Sequence, residues 1–396
     1  MNICIAGKNN IAVEICQYII SHFEFTNIYA IPNINDQGKD TFQRSFKKYC
    51  VNNNIELREL KDVYKIKDLI FLSLEFDRII DPDKFISNQL YNIHFSLLPK
   101  YKGMYTAALP ILNGEEYTGV TLHYIEKGID TGNIIAQEKI LISDEETSKS
   151  LYLKFINSGI KLIIKYLPLI IKNKIKSYPQ CNNFSTYFSK KTIDYSYLIN
   201  LNSTAWQIDS QIRAFTFRDY QIPEVFNTPI FISEITSEKS YLKPGSIIED
   251  NNFLFKLATI DYNIILYKDK FKEILECCKS NNIVNLIQFP KLSKYINEQD
   301  KENGWTPLMV STYYNSFDIV KYLIANGAKI NLQDHSGLTA LTYAVKSALL
   351  TGNLSTIDYI IEHGGDSLKK DYSNKNILDY LWKENRGLYE HILKLL

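Results

Sequence analysis

Residues 92–103 read NIHFSLLPKYKG. On a strand, Asn92 and His94 point to one face while Ile93 and Phe95 point to the other, because side chains alternate along an extended chain. The proline turn that follows leaves an amide and an imidazole as a polar pair at the strand end.

Upstream, the chain alternates NICIAG, AVEICQYIISHF, NIYAIPN, a polar FQRSFKKYCVNN, then IELREL and KDLIFLSL. Short apolar strands separated by helical patterns predict a parallel α/β sheet. Gly7 stands alone after the first strand, without a GxGxxG fingerprint, so no dinucleotide site is inferred and a tight strand-to-helix turn is expected. Downstream, TAALPILNGE predicts a helix, and TGVTLHYIEKGIDTGNIIAQEKI predicts a strand interrupted by a turn around Gly128 to Gly132. LYLKFINSGIKLIIKYLPLIIKN predicts a long helix, and the polar NNFSTYFSKKT marks a domain boundary.

From about Ser196 a helix pattern, STAWQIDSQIRAFTF, precedes short Ile-, Phe-, Tyr- and Thr-rich segments that predict a small antiparallel β subdomain. Beyond it the chain repeats. NGWTPL at Asn303 returns as SGLTAL at Ser336, and INEQD at Ile296 returns as INLQD at Ile330. A period of about 33 residues with a TPL helix start is the ankyrin pattern. Two clear repeats, a weaker one before and a degenerate cap after satisfy the need for stacked neighbours. TPLH has become TPLM and TALT, losing the histidine that usually bonds between repeats, so a less rigid array is expected. The expected parts are therefore an α/β domain over 1–195, a small β-rich subdomain over 196–267 and α-helical ankyrin repeats over 268–396.

With 396 residues the chain exceeds one typical core, and its formal charge of +1 gives no global reason to expect nucleic acid or another polyanion. Six scattered cysteines show neither metal-ligand spacing nor a disulfide framework, which suits reduced thiols. KYLPLIIKNKIK is too short and too charged to span a bilayer, and a soluble cytoplasmic protein is expected. Asp144, Glu145 and Glu146 are read as a solvated helix start rather than a metal site. Lys190 and Lys191 are read as a solvated boundary.

Asp130 in GIDTG lies in a flexible turn that can carry a carboxylate to the imidazole of His94. Asn, His and Asp at strand ends offer an oxyanion donor, a proton carrier and a charge to orient it, with no activated Ser or Cys. NxHxSLLPKYKG followed by TGVTLHYIEKGIDTG resembles the formyltransferases that use N10-formyltetrahydrofolate, a family that includes glycinamide ribonucleotide, methionyl-tRNA and nucleotide-sugar enzymes. The resemblance runs loosely over residues 1 to 220. It implies a formyltransferase-type Rossmann-like catalytic domain, catalytic roles for Asn92, His94 and Asp130, and no metal. It implies a pterin-binding loop at FLSLEFDRII, with Leu74, Phe76, Asp77 and Gly128 on the folate.

The segment AFTFRDYQIPEV resembles the nucleotide-sugar branch, where this region meets a dTDP-linked amino sugar. Tyr105, Arg213, Phe217, Arg218 and Tyr220 are the implied substrate contacts, an aromatic ring stacking on thymine and cations pairing with diphosphate. Phe215, Phe217 and Tyr220 have a subdomain core as their alternative reading. An ankyrin-bearing chain most resembles the branch acting on dTDP-3-amino-3,6-dideoxyglucose for lipopolysaccharide O-antigen. A 4-amino or UDP-linked sugar, or an inactive ankyrin scaffold, are the alternatives. Homodimerisation through the β subdomain is a family expectation. His123 is read as a packing or hydrogen-bonding residue, with an approach to the folate as the alternative. Trp305 in GWTPL is read as packing on its neighbouring repeat, or as a flat face for a protein partner or a second nucleotide.

Overall fold

The computed structural model describes residues 1–195 and 198–395. The expected domain boundary falls on Ser196 and Tyr197, which lie outside the described residues. The chain divides into two compact units: Met1–Lys39, Gln43–Asp250 and Phe255–Leu266 form the first, and Asp40–Phe42, Asn251–Leu254 and Tyr267–Leu396 the second. The α/β part and the β-rich part thus fall in one unit.

The first unit is built on a seven-stranded sheet. Its strands are β1 (Asn2–Gly7), β2 (Asn27–Pro32), β3 (Glu56–Leu57), β4 (Leu69–Leu74) and β5 (Leu90–His94). Beyond β6 (Lys102–Gly103), which lies outside this sheet, come β7 (Tyr117–Tyr124) and β8 (Ile134–Leu141). The order is β3-β2-β1-β4-β5-β7-β8. β1 and β4 read as unbroken apolar runs because a central parallel strand is covered on both faces.

On one face, α1 (Asn9–His22) buries Ile11, Ile15 and Ile19, spaced one helical turn apart, and α5 (Ser148–Ile171) buries Leu151, Phe155, Ile163 and Leu167. Thr147 caps α5 by accepting from the Ser150 amide at 3.2 Å. Gly159 lets α5 come close, since a Cβ there would stand 3.0 Å from Ile11 Cδ1.

Several expectations are corrected. The sheet is mixed: β5 pairs antiparallel with β7, and β7 antiparallel with β8, so the interrupted strand is a hairpin. The polar segment near residue 46 contains α2 (Phe46–Asn52), which buries Phe46, Tyr49 and Cys50. After a short α3 (Leu60–Val63), the helix expected over TAALPILNGE shrinks to α4 (Leu109–Leu112). Pro110 has no amide hydrogen and suits only a first turn, and Gly114 at φ +65° leaves the helical region. Glu146 is not solvated. It is 3% exposed and takes hydrogen bonds from Ser150 and Lys154, so it braces the start of α5.

The β-rich part carries α6 (Ala205–Phe215) and five strands in the order β10-β11-β14-β13-β12. After β9 (Tyr187–Phe188), which pairs with β6, these are β10 (Glu224–Val225), β11 (Thr228–Lys239), β12 (Ile247–Asp250), β13 (Leu254–Leu257) and β14 (Tyr262–Lys268). Ile208, Ile212 and Phe215 of α6 pack on Ile230, Leu257 and Ile264.

In the second unit, helix pairs follow the repeat: Pro307–Tyr313 with Phe317–Ala325, then Ala340–Thr351 with Ser355–Glu362. Shorter helices Phe271–Lys279 and Ile283–Leu286 precede them, and Ile377–Glu384 with Arg386–Leu395 follows. The missing histidines do not leave the repeats unlinked. Asn297 donates to Gly327 O at 3.0 Å and Asn331 to Gly364 O at 2.8 Å, while Gln299 reaches Gln333 O at 2.9 Å and Gln333 reaches Lys370 O at 2.8 Å. The recurring INxQD sequence is thus an inter-repeat ladder. Among the described residues no helix is long and apolar enough to cross a membrane.

Gly7 ends β1 beside Leu74 of β4, and a Cβ at Gly7 would stand 1.9 Å from Leu74 O. Gly7→Ala is therefore expected to cost about 1–3 kcal/mol of stability, the usual range for overpacking. Urea denaturation of the full chain measures it, and a wild-type midpoint would show that the two strand ends have slack.

Candidate active site

β5 carries the polar pair to the middle of the sheet, where parallel pairing on one side meets antiparallel pairing on the other. Its register sets Asn92 opposite Ser73 of β4 and opposite His123 of β7. Directly opposed residues share a face, so the Asn92 amide meets His123 Nε2 at 3.0 Å. His123 Nδ1 donates to Tyr124 O at 2.7 Å, which leaves Nε2 as the acceptor for Asn92.

His94 lies one alternation further and is 8% exposed. Its Nε2 donates to Tyr101 O at 2.8 Å, so the neutral ring keeps a lone pair on Nδ1. The SLLPKY turn is fixed from both ends. Thr121 Oγ1 donates to Ser96 O at 2.6 Å, Ser96 Oγ donates to Lys100 O at 2.7 Å, and the Leu98–Pro99 peptide is cis.

Asp130 sits in the β7–β8 loop at φ +53°, a left-handed conformation that Asp tolerates better than most residues. Gln180 donates to both Asp130 O and Gly132 O at 2.8 Å and clamps the loop. At Gly132 a Cβ would stand 1.8 Å from Tyr124 O, so the hairpin closes only with glycine there. The carboxylate then accepts from the Gly103 amide at 2.9 Å and stands 3.4 Å from His94 Nδ1, with its other oxygen 3.6 Å from His123 Nε2. Asn92 lies 3.4 Å from that second oxygen.

Burial pushes the Asp130 carboxyl up, but His94, His123 and the Gly103 amide outweigh it and hold the group well below the usual carboxylate range. Burial also lowers His94 from its ordinary value, with Asp130 and the Tyr101 carbonyl opposing in part. At neutral pH the pair is a free-base imidazole facing a carboxylate anion. Nδ1 can take a proton, and Asp130 and Tyr101 O would then flank an imidazolium. Asn92 keeps one hydrogen on His123, and its second, at 3.4 Å from Asp130, is long enough to be exchanged for an oxyanion.

The structure brings the trio together. Of the four positions expected on the folate, Leu74 is buried in the sheet and its carbonyl accepts from Lys8, so it forms a wall. Phe76 lies under the Arg78 guanidinium at 4.5 Å, and Asp77 anchors its loop by accepting from the Ile34 amide at 2.9 Å. Gly128 is exposed in a loop so tight that a Cβ would stand 2.4 Å from Thr131 Oγ1. Residues 76–80 make no backbone–backbone hydrogen bonds among the described residues, and the buried Arg78 Nε stands 3.6 Å from Asp77 Oδ1 without a hydrogen-bond partner. That loop edge keeps its backbone donors and acceptors unpaired by other backbone groups.

Phe217 packs between Tyr152 at 5.7 Å and Tyr220 at 4.6 Å, and Tyr220 is 57% exposed. Tyr152 donates to Glu75 at 2.8 Å, and Asn9 donates to Tyr152 at 2.7 Å and to Glu75 at 3.2 Å. This cluster joins Phe217 and Tyr220 to the strand ends, and Asn9, Glu75 and Tyr152 were not singled out from sequence. Asn9 and Glu75 have φ of +63° and +58°, a signal that exists only in three dimensions. Tyr105 donates to Lys190 O at 3.0 Å and stands two residues after Gly103, next to Tyr195.

Arg213 is not brought to this cluster. Its guanidinium donates to Asp209 at 2.8 Å and to Glu146 O at 3.2 Å, so it is committed to bracing α6 against the start of α5. Arg218 stacks over Phe231 at 4.6 Å. Trp305 belongs to the other compact unit, where its ring nitrogen donates to Tyr343 at 2.7 Å and its ring packs 5.5 Å from Tyr313. Among the described residues no group of acidic, His or Cys side chains is placed to hold a metal.

Residues 38–167 match the Formyl transferase family, and residues 274–383 match Ankyrin repeats (3 copies). The solved structure of WlaRD, a sugar 3N-formyl transferase in the presence of dTDP and 5-N-formyl-THF, is 44% identical with a TM-score of 0.64, over 68% of this chain and 97% of that one. The N-formyltransferase from Helicobacter canadensis, in complex with folinic acid and dTDP-3-aminofucose, is 43% identical with a TM-score of 0.64, over 67% of this chain and 99% of that one. Bifunctional polymyxin resistance protein ArnA of Wigglesworthia glossinidia brevipalpis is 33% identical over 68% of this chain, which spans only 42% of that protein's length. With near-complete coverage of two solved relatives, and with its matched segment carrying Asn92, His94 and Asp130, the chain belongs to the formyl transferase family.

Proposed function

We propose that the chain transfers the formyl group of N10-formyltetrahydrofolate to the amino group of a dTDP-linked amino-dideoxy sugar, with dTDP-3-amino-3,6-dideoxyglucose as the substrate. The observation that carries the reading is the assembled trio, a free-base His94 against the Asp130 anion with the Asn92 amide alongside. The two solved sugar N-formyltransferases support the choice of a dTDP-linked 3-amino sugar.

In this reading a neutral amine nitrogen bonds to the formyl carbon while the carbonyl electrons move onto oxygen. Asn92 donates its exchangeable hydrogen to that oxygen, and His123 holds the amide in place. His94 Nδ1 takes the proton released by the amine, and Asp130 steadies the imidazolium. Collapse restores the carbonyl, breaks the bond to the folate nitrogen and returns the proton to it. The unpaired backbone edge at 76–80 receives the pterin, and Tyr220 over Phe217 offers a face for thymine. Such a reaction needs positioning and oxyanion stabilisation more than a strong base. A homodimer, a cytoplasmic location, a role in O-antigen synthesis, and a protein or second nucleotide on the ankyrin repeats near Trp305 complete the proposal.

Mass spectrometry of the full chain with the formyl donor and a panel of dTDP- and UDP-linked 3-amino and 4-amino sugars tests it. A one-formyl gain on the dTDP-linked 3-amino sugar is expected. A gain only on a 4-amino or UDP-linked sugar moves the substrate, and no gain with intact folate binding favours the inactive scaffold.

His94→Asn is expected to lower turnover by about 10² or more, the scale of a lost acid-base group. Because burial lowers the His94 value from 6.5, its protonation midpoint lies below that pH. The wild-type kcat/KM should fall on acidification with a midpoint below pH 6.5, whereas a midpoint above 6.5 would remove His94 as the proton acceptor.

His123→Leu takes away the acceptor that orients Asn92, and kcat should drop by about 10-fold to 10², less than the roughly 10² to 10³ for an oxyanion donor removed outright. KM should change little, and unchanged kcat would show that Asn92 holds its own orientation.

A further inference from the structure

Asn9, Glu75 and Tyr152 form a polar cluster that the transfer trio does not use. Tyr152 donates to Glu75 at 2.8 Å, and Asn9 donates to Glu75 at 3.2 Å and to Tyr152 at 2.7 Å. The Glu75 carbonyl is fixed as well, accepting from the Asn33 side-chain amide at 2.8 Å. Asn9 and Glu75 leave the ends of β1 and β4 in the left-handed region, at φ +63° and +58°. Holding residues other than glycine there costs free energy, and such strain collects at ligand sites.

The cluster lies between the two ends of the site. β4 pairs with β5 so that Leu74 stands opposite Ile93, and Glu75 and His94 are the next residues along those strands. The Tyr152 ring lies 6.0 Å from Phe95, the residue after His94, and 5.7 Å from Phe217, which packs 4.6 Å from Tyr220. Glu75 remains partly exposed. A carboxylate offers about four acceptor positions, and Asn9 and Tyr152 bring it one hydrogen each, so acceptor capacity is left over.

We propose that Glu75 is a specificity-determining residue for the transfer reaction, its carboxyl accepting a hydrogen bond from the C2 hydroxyl of the amino sugar. The amine on C3 must reach His94, while the nucleotide on C1 extends to the Tyr220 face. C2 is the ring carbon between them, as Glu75 and Tyr152 are the side chains between those two ends. A carboxyl keeps acceptor lone pairs whether ionised or not, so this role does not depend on its titration. Asn9 and Tyr152 hold the group in place, and a sugar without the hydroxyl leaves an acceptor unpaired in the closed site, which is how such a site rejects an analogue.

The inference rests on the chain being a dTDP-3-amino-sugar formyltransferase, and its test separates the two. The full chain is assayed with dTDP-3-amino-3,6-dideoxyglucose and with its 2-deoxy and 4-deoxy analogues, and calorimetry measures the binding of each. Wild type should prefer the parent over the 2-deoxy analogue by about 10-fold to 10² in kcat/KM, the worth of one hydrogen bond to a charged group. Glu75→Leu should abolish that preference and leave the preference over the 4-deoxy analogue as in wild type. Glu75→Gln, which keeps one acceptor oxygen, should retain part of it. A residue that only braced the fold would slow all three sugars alike, so a 2-deoxy preference unchanged in Glu75→Leu, or absent from wild type, overturns the proposal. If wild type formylates none of the three yet binds the parent more tightly than the 2-deoxy analogue, and Glu75→Leu equalises them, the proposal stands and the transfer reading fails. With no preference in binding either, both fall. If Glu75→Leu does not fold by circular dichroism, Glu75→Ala takes its place, and failure of both to fold assigns Glu75 to stability and overturns the proposal.

Discussion

The Asp130 carboxylate is the point on which the site depends. Its two oxygens collect the Gly103 amide, the imidazoles of His94 and His123, and the side chain of Asn92, drawn from β5, β6 and β7. A backbone φ of +53° aims the side chain there, and the Gln180 clamp on both sides of the loop holds that angle. Were the loop to relax, Asn92 would keep His123, but His94 would lose the charge that faces its free nitrogen.

The sheet explains why such a junction forms where it does. β5 is the strand at which parallel order stops, and its antiparallel neighbour β7 starts the hairpin loop beside Tyr91, from where the loop carries Asp130 to Asn92 and His94. An all-parallel sheet would have sent the chain away through a crossover helix, with the loop at a distance. The antiparallel register also sets His123 against Asn92, so one pairing provides both the loop and the acceptor that orients the amide.

Asn92, His94 and Asp130 were singled out because NIHFSLLPKYKG and GIDTG resemble a known family, and the structure brings their side chains together. The ankyrin repeats were legible for a similar reason, since a period of about 33 residues is visible without coordinates. What stayed hidden depends on register and burial. The opposition of Asn92 and His123 belongs to a pairing that no single segment encodes. Arg213 looked like a diphosphate ligand because it stands beside aromatics, yet Asp209 lies one helical turn before it and captures its guanidinium. Glu146 looked solvated as part of an acidic run, but only the packing of α5 shows which of three acids turns inward. The INxQD ladder replaced the missing histidines because side-chain amides can bond backbone groups of the next repeat, a role that the repeat period announces without describing.

Burial raises both Asp130 and Glu75, yet their partners leave the two carboxyls shifted in opposite directions. Asp130 is desolvated, yet it accepts from the Gly103 amide and stands against two imidazoles, and it remains an anion. Glu75 is also desolvated, and that penalty exceeds the help it gets from Lys8, Tyr152 and Asn9, so its carboxyl is raised. Paired titratable groups whose surroundings push them apart serve different purposes. The fixed charge stands beside His94. The more easily protonated group sits with Tyr152, beside the Phe217 and Tyr220 rings. Hydrogen-bond donors distributed unequally along one strand-end row therefore keep one carboxyl charged and leave the other raised.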